Sequence, residues 1–302
     1  MPASEKTYRG RFAPSPSGPL HFGSLVTALA SFLDARKKNG HWLVRIEDID
    51  PLREVAGASS DILHTLESHH LLWDESVRYQ SERSAAYEGF IEQLRLNNHT
   101  YLCPCSRKLL SDNNGVHGTD CNPRDISAPQ KFAVRFRAND QIHEWHDLIL
   151  GLQRYQSKKE TDDFVIKRKE GFYAYQLAVV CDDIDQKISH IIRGSDLLDS
   201  TPPQMALYQT AVSTIPHFGH IPVILNNVGQ KLSKQNLAPA LNNQLASNNL
   251  QRALQSLNHP IPKSLHGASP NDIIQWATTH WSIEKLPKGL AIQGGWNLGS
   301  EL

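Results

Sequence analysis

The stretch RFAPSPSGPLHFGS, from Arg11 to Ser24, decides the fold that we predict for this chain. A short apolar segment enters a proline- and glycine-rich turn and leaves it as a helical pattern. The helix is indicated by apolar residues at helical spacing: Leu25, Val26, Leu29, Phe32 and Leu33. It should stop at Asn39 and Gly40. A strand–loop–helix entry of this kind points backbone N–H groups and a helix N-terminus at an anion.

The residues after this helix complete a strand–helix–strand unit. Residues 42–46 (WLVRI) are typical of a buried strand, and the acidic run EDID follows them. Two strands joined by a helix imply a parallel sheet, so we predict a Rossmann-like α/β fold. Further strands of that sheet are predicted at 163–166, 177–180 and 221–225. Helices are predicted near 59–70, 82–97, 201–214, 247–257 and 270–280.

The composition of the sequence changes between residues 101 and 160. Cysteines, turn residues and an alternating strand at 132–136 suggest a small inserted subdomain there. We therefore predict four parts. Residues 1–100 and 161–236 form the two halves of the Rossmann-like domain, and 101–160 is the insertion. Residues 237–302 form a short helical C-terminal region.

Bulk composition excludes few functions. The 302 residues hold 31 Lys+Arg and 31 Asp+Glu, so net charge does not argue for nucleic acid. The lysines and arginine at 158–159 and 167–169 are either a local RNA contact or a solvated face. The chain lacks an apolar run of the roughly 18–20 residues that a membrane span needs and lacks a secretory signal at its start. Cysteine usage does not fit a disulfide framework, which favours the cytoplasm.

A nucleotide site is predicted from two separate motifs. His21 and Ser24 flank Gly23, where the backbone can approach a phosphate closely at the helix N-terminus. In the motif KLSKQ, Lys231 and Lys234 are suited to a pyrophosphate, Lys234 more strongly. Charge that builds on phosphate oxygens is stabilised by donors placed in advance. We therefore assign catalysis to His21, Gly23, Ser24, Lys231 and Lys234, and ATP binding to His21, Gly23 and Lys234.

A metal site is predicted from Cys103, Cys105, His117 and Cys121, which place three thiols and an imidazole within a short segment. Thiolates and a neutral imidazole suit a tetrahedral, structural Zn²⁺ site. The spacing is not the common CxxC pair, so cysteines with an incidental histidine are the alternative. Cys181 lies in a predicted apolar strand and is interpreted as an inert core residue.

The motifs resemble the HIGH-like and KMSKS-like signatures of the class I aminoacyl-tRNA synthetases, in particular their glutamyl branch. The resemblance covers about residues 8–240. The matching strings are GRFAPSPSG, RIEDIDPLREV and KLSKQNLAPAL. It implies that residues 1–100 and 161–236 are a class I catalytic domain with Mg²⁺-bound ATP as substrate. It also implies that residues 237–302 are too few for the anticodon-binding domain of full-length glutamyl enzymes. Short glutamyl-type relatives also carry zinc in the insertion, often with a tyrosine where His117 falls, so His117 is the least secure ligand.

The resemblance also implies a glutamate site. Glu47 would take the ammonium, Arg11 and Arg193 would bind carboxylates, and Tyr175 and Ser15 would add hydroxyl contacts. Phe12, Ala13 and Pro14 complete the matching RFAPS string. Two simpler interpretations stay open: Arg45 and Glu47 could form a strand-end ion pair, and Tyr175 could be half-buried in a sheet.

The implied function is activation of L-glutamate by ATP without tRNA. The glutamyl group would then pass to the queuosine base in the anticodon of tRNA(Asp), by a protein that acts as a monomer. Two alternatives stay open. One is an ordinary glutamyl enzyme that charges the tRNA 3′ end, and the other is a non-catalytic RNA-binding module.

Overall fold

The N-terminal part of the protein is the predicted strand–helix–strand unit. The computed structural model describes residues 7–105, 107–112, 132–159, 162–211, 214–226, 228–232 and 238–293. Strand β1 (Arg9–Phe12) is followed by helix α1 (Phe22–Lys37) and strand β2 (His41–Ile46). The two strands pair in parallel, with Arg11 opposite Leu43, and β3 (Arg78–Tyr79) adds to the far edge of β2. This arrangement confirms the fold class predicted from the sequence.

Local chemistry explains where α1 begins and ends. The His21 ring caps its first turn, and Arg36 and Lys37 lie in its last turn, where cations are favourable. Asn39 takes up the left-handed backbone at φ 51° directly after the helix. Gly40 follows, and a Cβ there would lie 2.6 Å from the Tyr8 carbonyl oxygen, so only glycine fits. The chain therefore reverses at the position predicted from the Asn-Gly pair.

The next part of the chain adds two helices and then antiparallel strands. Helices α2 (Ala58–Ser68) and α3 (Ser84–Leu96) lead to β4 (Thr100–Cys103) and the short helix α4 (Arg107–Asp112). Strands β5 (Ala133–Phe136), β6 (Gln141–Asp147), β7 (Gly151–Ser157) and β8 (Phe164–Lys167) follow. Both β4 and β8 pair antiparallel with β5, and β6 and β7 form a hairpin. The strand predicted at 163–166 exists, but its expected place in the parallel sheet is wrong.

The strand predicted at 177–180 is also wrong, because these residues lie in helix α5 (Tyr175–Asp185). All four are buried, and Asp182 and Asp183 after them are buried too. A short, continuous apolar run fits a buried helix as well as a buried strand, so periodicity did not separate the two. The consequence is large, since α5 places two carboxylates under the sheet.

The parallel sheet resumes after α5. Strand β9 (His190–Gly194) lies beside β1, where Ser189 N donates to the Arg9 carbonyl at 2.9 Å. Helix α6 (Thr201–Ala211) follows, with both of its prolines in the first turn as predicted. Strand β10 (His217–Ile221) pairs in parallel with β9. The chain continues through β11 (Val223–Leu225), α7 (Ala246–Ser256), α8 (Pro270–His280) and β12 (Ala291–Gln293), the last paired in parallel with β11.

Two hydrophobic clusters hold these elements together. One surrounds α1 and takes in α7 and α8, with Leu25, Leu29 and Leu250 fully buried. The other surrounds α5 and includes Leu177, Leu207 and Phe218. No helix among the described residues has the length and apolarity to cross a membrane. The four parts predicted for the chain, with boundaries after residues 100, 160 and 236, stay a prediction.

Candidate active site

A cavity of about 590 Å³ lies at the carboxyl ends of β1 and β9, next to the N-terminus of α1. Neighbouring parallel strands end at the same edge of a sheet, which is where open α/β folds bind ligands. Residues from both predicted motifs line this one cavity. They include Arg11, Phe12, Ala13, Pro14, Ser15, His21, Gly23, Ser24, Tyr175, Arg193 and Lys231. The convergence of the N-terminal turn with the late lysine motif is therefore present for Lys231.

The His21 side chain closes the first turn of α1. Its Nδ1 accepts a hydrogen bond from Ser24 N at 3.2 Å, and its Nε2 lies 3.1 Å from Ser24 Oγ. A Cβ on Gly23 would approach the His21 ring to 3.2 Å, so glycine lets the ring lie flat against the turn. Unpaired N–H groups and the helix dipole at this end favour an anion.

Lys231 reaches the same cavity from the segment after β11. Its Nζ lies 2.6 Å from Asp196 Oδ2, and Asp196 also lines the cavity. The other lysine of the motif, Lys234, lies outside the described residues. Its assignment to ATP binding and catalysis therefore stays a prediction.

Arg11 lies at the wall of the cavity but is already paired. Its Nε and Nη2 bind the two Asp183 carboxylate oxygens at 3.1 and 3.2 Å. Arg45 Nη2 lies 2.8 Å from the same carboxylate, and Tyr208 donates to it at 3.0 Å. Burial acts to raise the pKa of Asp183, but Arg11 and Arg45 outweigh it and hold that pKa below the usual range. Asp183 thus balances part of the positive charge of Arg11 and Arg45. It was not predicted from the sequence.

Glu47 is buried directly after β2 and does not itself line the cavity. Its backbone N donates to the Pro14 carbonyl at 3.0 Å, which ties it to the N-terminal turn. Its Oε1 is 3.7 Å from Arg45 Nη2 and has no hydrogen-bond partner among the residues that the structure describes. Burial raises the pKa of Glu47 to about 7, against the opposing effect of Arg45 and Arg11. The ion-pair interpretation of Arg45 and Glu47 is thus compatible with the distance, although Oε1 still lacks a donor.

Tyr175 begins α5, so the expectation that it could lie in a sheet is wrong. Its ring is partly buried and lines the cavity together with Arg11 and Arg193. Burial raises the pKa of Tyr175, and nearby Glu47 raises it further, so the phenol stays protonated and can donate. Ser15 is exposed at the cavity, in the turn that begins after β1.

Arg193, on β9, is the one predicted carboxylate binder that has no carboxylate partner among the described residues. It is 3 % exposed, yet none of the described Asp or Glu oxygens lies within 4.0 Å of its guanidinium. Neutral groups surround it instead: His220, Gln204 and Thr201. Burial lowers the pKa of Arg193, as expected for a cation removed from water without a counter-ion. A buried cation at a cavity wall is stabilised by an anionic ligand.

Sequence reasoning missed further residues at or beneath the cavity: Asp147, Asp182, Asp183, His220 and Arg53. Arg53 lines the cavity and lies within the quoted RIEDIDPLREV string, so the motif contained a signal for it. The acidic pair that follows the apolar run in α5 was a signal for Asp182 and Asp183. For Asp147 and His220 the sequence contained no local pattern.

The predicted zinc ligands are only partly within the described residues. Cys103 ends β4 and is buried, and the Cys105 side chain packs against it and Tyr101. His117 and Cys121 lie outside the described residues. Within the part of the chain that the structure describes, no group of three or more potential metal ligands is found. Cys181 lies in helix α5, so the strand predicted around it is wrong. It is partly buried against the cluster around α5, and burial raises the pKa of its thiol to about 12.

Comparisons with known proteins agree with this geometry. An α/β domain that brings the N-terminus of α1 and Lys231 onto one cavity is the arrangement expected of a class I synthetase catalytic domain. The model of the family "tRNA synthetases class I (E and Q), catalytic domain" matches residues 7–255, and the chain belongs to this family.

Within this family, the chain is similar to curated relatives and to solved structures of the glutamyl type. The chain is 43 % identical to the glutamyl-Q tRNA(Asp) synthetase of Serratia proteamaculans, over 95 % of both chains. It is 45 % identical to the protein of that name from Pseudomonas aeruginosa, over 93 % of this chain and 96 % of the relative. Among solved structures, a glutamate tRNA ligase from Elizabethkingia meningosepticum superposes with a TM-score of 0.77 at 25 % identity. That match covers 95 % of this chain and 67 % of the ligase.

Proposed function

We propose that this protein activates L-glutamate with Mg²⁺-bound ATP, without tRNA, and transfers the glutamyl group to the queuosine base of tRNA(Asp). The observation that carries the proposal is Arg193, a buried cation with no acidic partner in the described part of the chain. It lies on the cavity that also receives the N-terminus of α1. An acidic amino acid and a triphosphate are the ligands that this pair of features selects. Relatives of matching length, named glutamyl-Q tRNA(Asp) synthetase, support the choice of acceptor.

In the first step, an α-carboxylate oxygen of glutamate attacks the α-phosphorus of ATP. The bond to the bridging oxygen breaks, and glutamyl-adenylate and pyrophosphate form. The residues of the chain hold the reactants and stabilise charge on the phosphate oxygens, because the reaction needs little covalent chemistry from the protein. His21, Gly23 and Ser24 present the helix N-terminus to these oxygens, and Lys231 and Lys234 would receive the pyrophosphate.

In the second step, a hydroxyl of the queuosine cyclopentene ring attacks the activated carbonyl. The ester forms, AMP leaves, and the hydroxyl proton passes to the phosphate oxygen of the leaving AMP. Glu47 and Arg193 would hold the ammonium and a carboxylate of the glutamyl group in both steps. Tyr175, protonated because its pKa is raised, would donate to the same ligand.

The metal and cellular assignments belong to this proposal. The packing of Cys105 against Cys103 fits a pair of zinc ligands, with His117 and Cys121 as the other two. Bound there, Zn²⁺ would brace the loop that follows β4. We further propose that the protein works as a cytoplasmic monomer, since its clustered cysteines suit a reducing compartment. Elemental analysis of the purified protein should find one zinc per chain. The Cys103→Ser and Cys105→Ser variants should each lose this zinc. Protein isolated without zinc would contradict the assignment.

The activation step is tested by exchange of labelled pyrophosphate into ATP in the absence of tRNA. Exchange should depend on L-glutamate and should not occur with L-glutamine, which lacks the second carboxylate. A non-catalytic RNA-binding module would show no exchange with either amino acid.

The acceptor is tested by mass analysis of nucleosides from tRNA(Asp) after incubation with enzyme, glutamate and ATP. Glutamyl-queuosine is the expected product, and tRNA(Asp) that lacks queuosine is the control. Charging of the 3′ end is a second candidate because the fold matches a glutamate tRNA ligase. Removal of the 3′-terminal adenosine takes away the ribose that would be charged and leaves the queuosine ring intact, so a product that still forms on such tRNA excludes that candidate.

A further inference from the structure

The Arg193 guanidinium is held by three neutral groups from two different elements. Its Nε donates to His220 Nε2 at 3.0 Å, its Nη1 to Gln204 Oε1 at 2.7 Å, and its Nη2 to Thr201 Oγ1 at 2.9 Å. His220 lies on β10, and the other two acceptors lie on the first turns of α6. The guanidinium also lies over the Phe218 ring, 5.2 Å from its centroid. The group is therefore fixed in position before any ligand binds.

These three bonds leave a defined pair of donors. A guanidinium has five N–H groups, and the contacts above use one on each nitrogen. One N–H remains on each terminal nitrogen, and both can donate to the oxygens of a ligand carboxylate. The cavity that Arg193 lines is the place where such a carboxylate can lie.

The ring of His220 must be in one tautomer for this arrangement to exist. Its Nε2 faces the Arg193 Nε N–H, so Nε2 accepts and cannot carry a proton. The proton is therefore on Nδ1, which donates to Asp147 Oδ2 at 2.5 Å. His220 is fully buried, and burial lowers its pKa, so the ring is neutral. A protonated ring would set a second cation against Arg193.

Asp147, the last residue of β6, is fixed in turn by the backbone. Its Oδ1 accepts from Ile149 N and Leu150 N at 3.0 Å each, and from His220 N at 3.1 Å. Asp147 is fully buried as well. Burial acts to raise its pKa, but the hydrogen bonds from His220 and these amides hold the pKa below its usual range. Asp147 is thus an ionised acceptor in a fixed place.

We infer that Asp147 and His220 are positioning residues for amino-acid recognition, which set the tautomer and orientation that turn the two remaining Arg193 N–H groups to a substrate carboxylate. This inference rests on the proposed function only for the identity of that carboxylate. The series of hydrogen bonds from Asp147 through His220 to Arg193 is itself a property of the folded protein. It links the β6–β7 hairpin to the glutamate site.

The substitution Asp147→Asn tests the tautomer directly. Three N–H groups point at Oδ1, so the asparagine oxygen has to occupy that place and its NH₂ group has to face His220 Nδ1. Nδ1 then becomes an acceptor and the proton moves to Nε2, where it opposes the Arg193 N–H. Side-chain volume is almost unchanged, but the bond that orients Arg193 is lost.

The functional experiment compares His220→Leu with His220→Gln in glutamate-dependent pyrophosphate exchange. Glutamine can donate to Asp147 and accept from Arg193 with one amide, whereas leucine can do neither. We expect KM for glutamate to rise about tenfold to a hundredfold in His220→Leu and Asp147→Asn, with KM for ATP unchanged, because hydrogen bonds to charged groups are among the strong ones. His220→Gln should recover most of the loss.

His69 offers a matched control for general destabilisation. It is equally buried, and it contacts the Thr65 carbonyl at 2.7 Å and Asn249 Nδ2 at 3.1 Å, but it does not line the cavity. His69→Leu should lower the melting temperature and leave KM for glutamate at the wild-type value. An unchanged KM for glutamate in folded His220→Leu and Asp147→Asn would overturn the inference while exchange by the wild type upholds the proposed function.

A second readout does not depend on activity. The ¹⁵N NMR spectrum of selectively labelled histidine distinguishes the two neutral tautomers. Wild-type His220 should be protonated at Nδ1, and Asp147→Asn should be protonated at Nε2. A wild-type ring protonated at Nε2 would overturn the inference even if the enzyme showed no exchange at all, so the two failures are distinguishable.

Discussion

Lys231 and Asp196 form an ion pair on the wall of the cavity, with Lys231 Nζ 2.6 Å from Asp196 Oδ2. Both side chains are partly exposed, 41 % and 36 %, so solvent screens the attraction and the pair contributes little to stability. A triphosphate carries far more negative charge than one carboxylate. Lys231 can therefore exchange Asp196 for the nucleotide at a small cost.

The two lysines of the KLSKQ motif should differ in their effect on catalysis. Lys231→Ala removes a cation that Asp196 partly neutralises, and we expect exchange to fall about tenfold. Lys234→Ala should lower kcat about a hundredfold or more, as loss of a donor to transition-state charge does. Rates of pyrophosphate exchange at saturating ATP measure both. Lys263→Ala, an exposed lysine that does not line the cavity, is the control. Full exchange in Lys234→Ala would remove this lysine from the mechanism.

The substitution Gly23→Ala should lower the rate of pyrophosphate exchange strongly and leave stability almost unchanged. The new Cβ lies 3.2 Å from the His21 ring and has to displace it, and small misplacements of catalytic groups cost as much as about a hundredfold in rate. The free energy of unfolding should change by less than about 1 kcal/mol, because alanine favours a helix. Exchange kinetics and urea unfolding measure the two effects.

Gly89, on α3, supplies the matched control for this substitution. A Cβ at Gly89 meets no atom within 4 Å. Gly89→Ala should raise the free energy of unfolding by about 0.5–1 kcal/mol and leave exchange unaltered. Equal rates for the two alanine variants would show that the close approach of Gly23 to His21 has no role in catalysis.

Glutamate activation should depend on pH through Glu47. Burial raises the pKa of Glu47 to about 7, so the carboxylate that would bind the substrate ammonium is mostly protonated below that pH. We expect kcat/KM for glutamate to rise about tenfold per pH unit up to about pH 7 and then to level off. The Glu47→Gln variant should have low activity, and its kcat/KM for glutamate should not rise with pH in this range. A flat wild-type profile between pH 5.5 and 8 would be incompatible with an ammonium site at Glu47.

The buried Asp183 should be essential to stability. Its carboxylate lies between Arg11 and Arg45, with both arginines at most 4 % exposed. Asp183→Ala leaves two buried guanidinium groups without this counter-ion, and breaking buried pairs costs about 3–5 kcal/mol. Chemical unfolding should show this loss. Glu92→Gln, which breaks the exposed Arg95–Glu92 pair, should unfold at the wild-type urea concentration. Equal unfolding of both variants would contradict the role of Asp183.

Local signals in the sequence predicted the elements that local chemistry determines. The bounds of α1 and β2 followed from the proline- and glycine-rich turn, helical spacing and the Asn-Gly turn, all of which act over a few residues. The prediction failed for residues 177–180, whose uninterrupted apolar run is compatible with helix and strand alike. It failed also for the direction of β8, because antiparallel pairing with β5 depends on a partner about 30 residues away.

Site residues that lie within the sequence motifs could be predicted. The residues that support them from other segments of the chain could not. His21 and Arg193 lie in strings that are read directly, and the structure places them on one cavity. Asp147 and His220 are 73 residues apart, and each looks like an ordinary polar residue on a strand. Only the folded chain brings them together behind Arg193. Glu47 shows a further limit, since its burial and raised pKa depend on elements distant in sequence.

The support of Arg193 by residues from several segments has a consequence for attempts to change the amino acid that this protein accepts. Redesign that alters only the walls of the cavity would leave a preset cation in the middle of the new pocket. Replacing that cation alone would leave the buried His220 Nε2 without the N–H donor that Arg193 supplies. A variant for an uncharged amino acid therefore has to exchange Arg193, His220 and Asp147 together, as a single inherited unit.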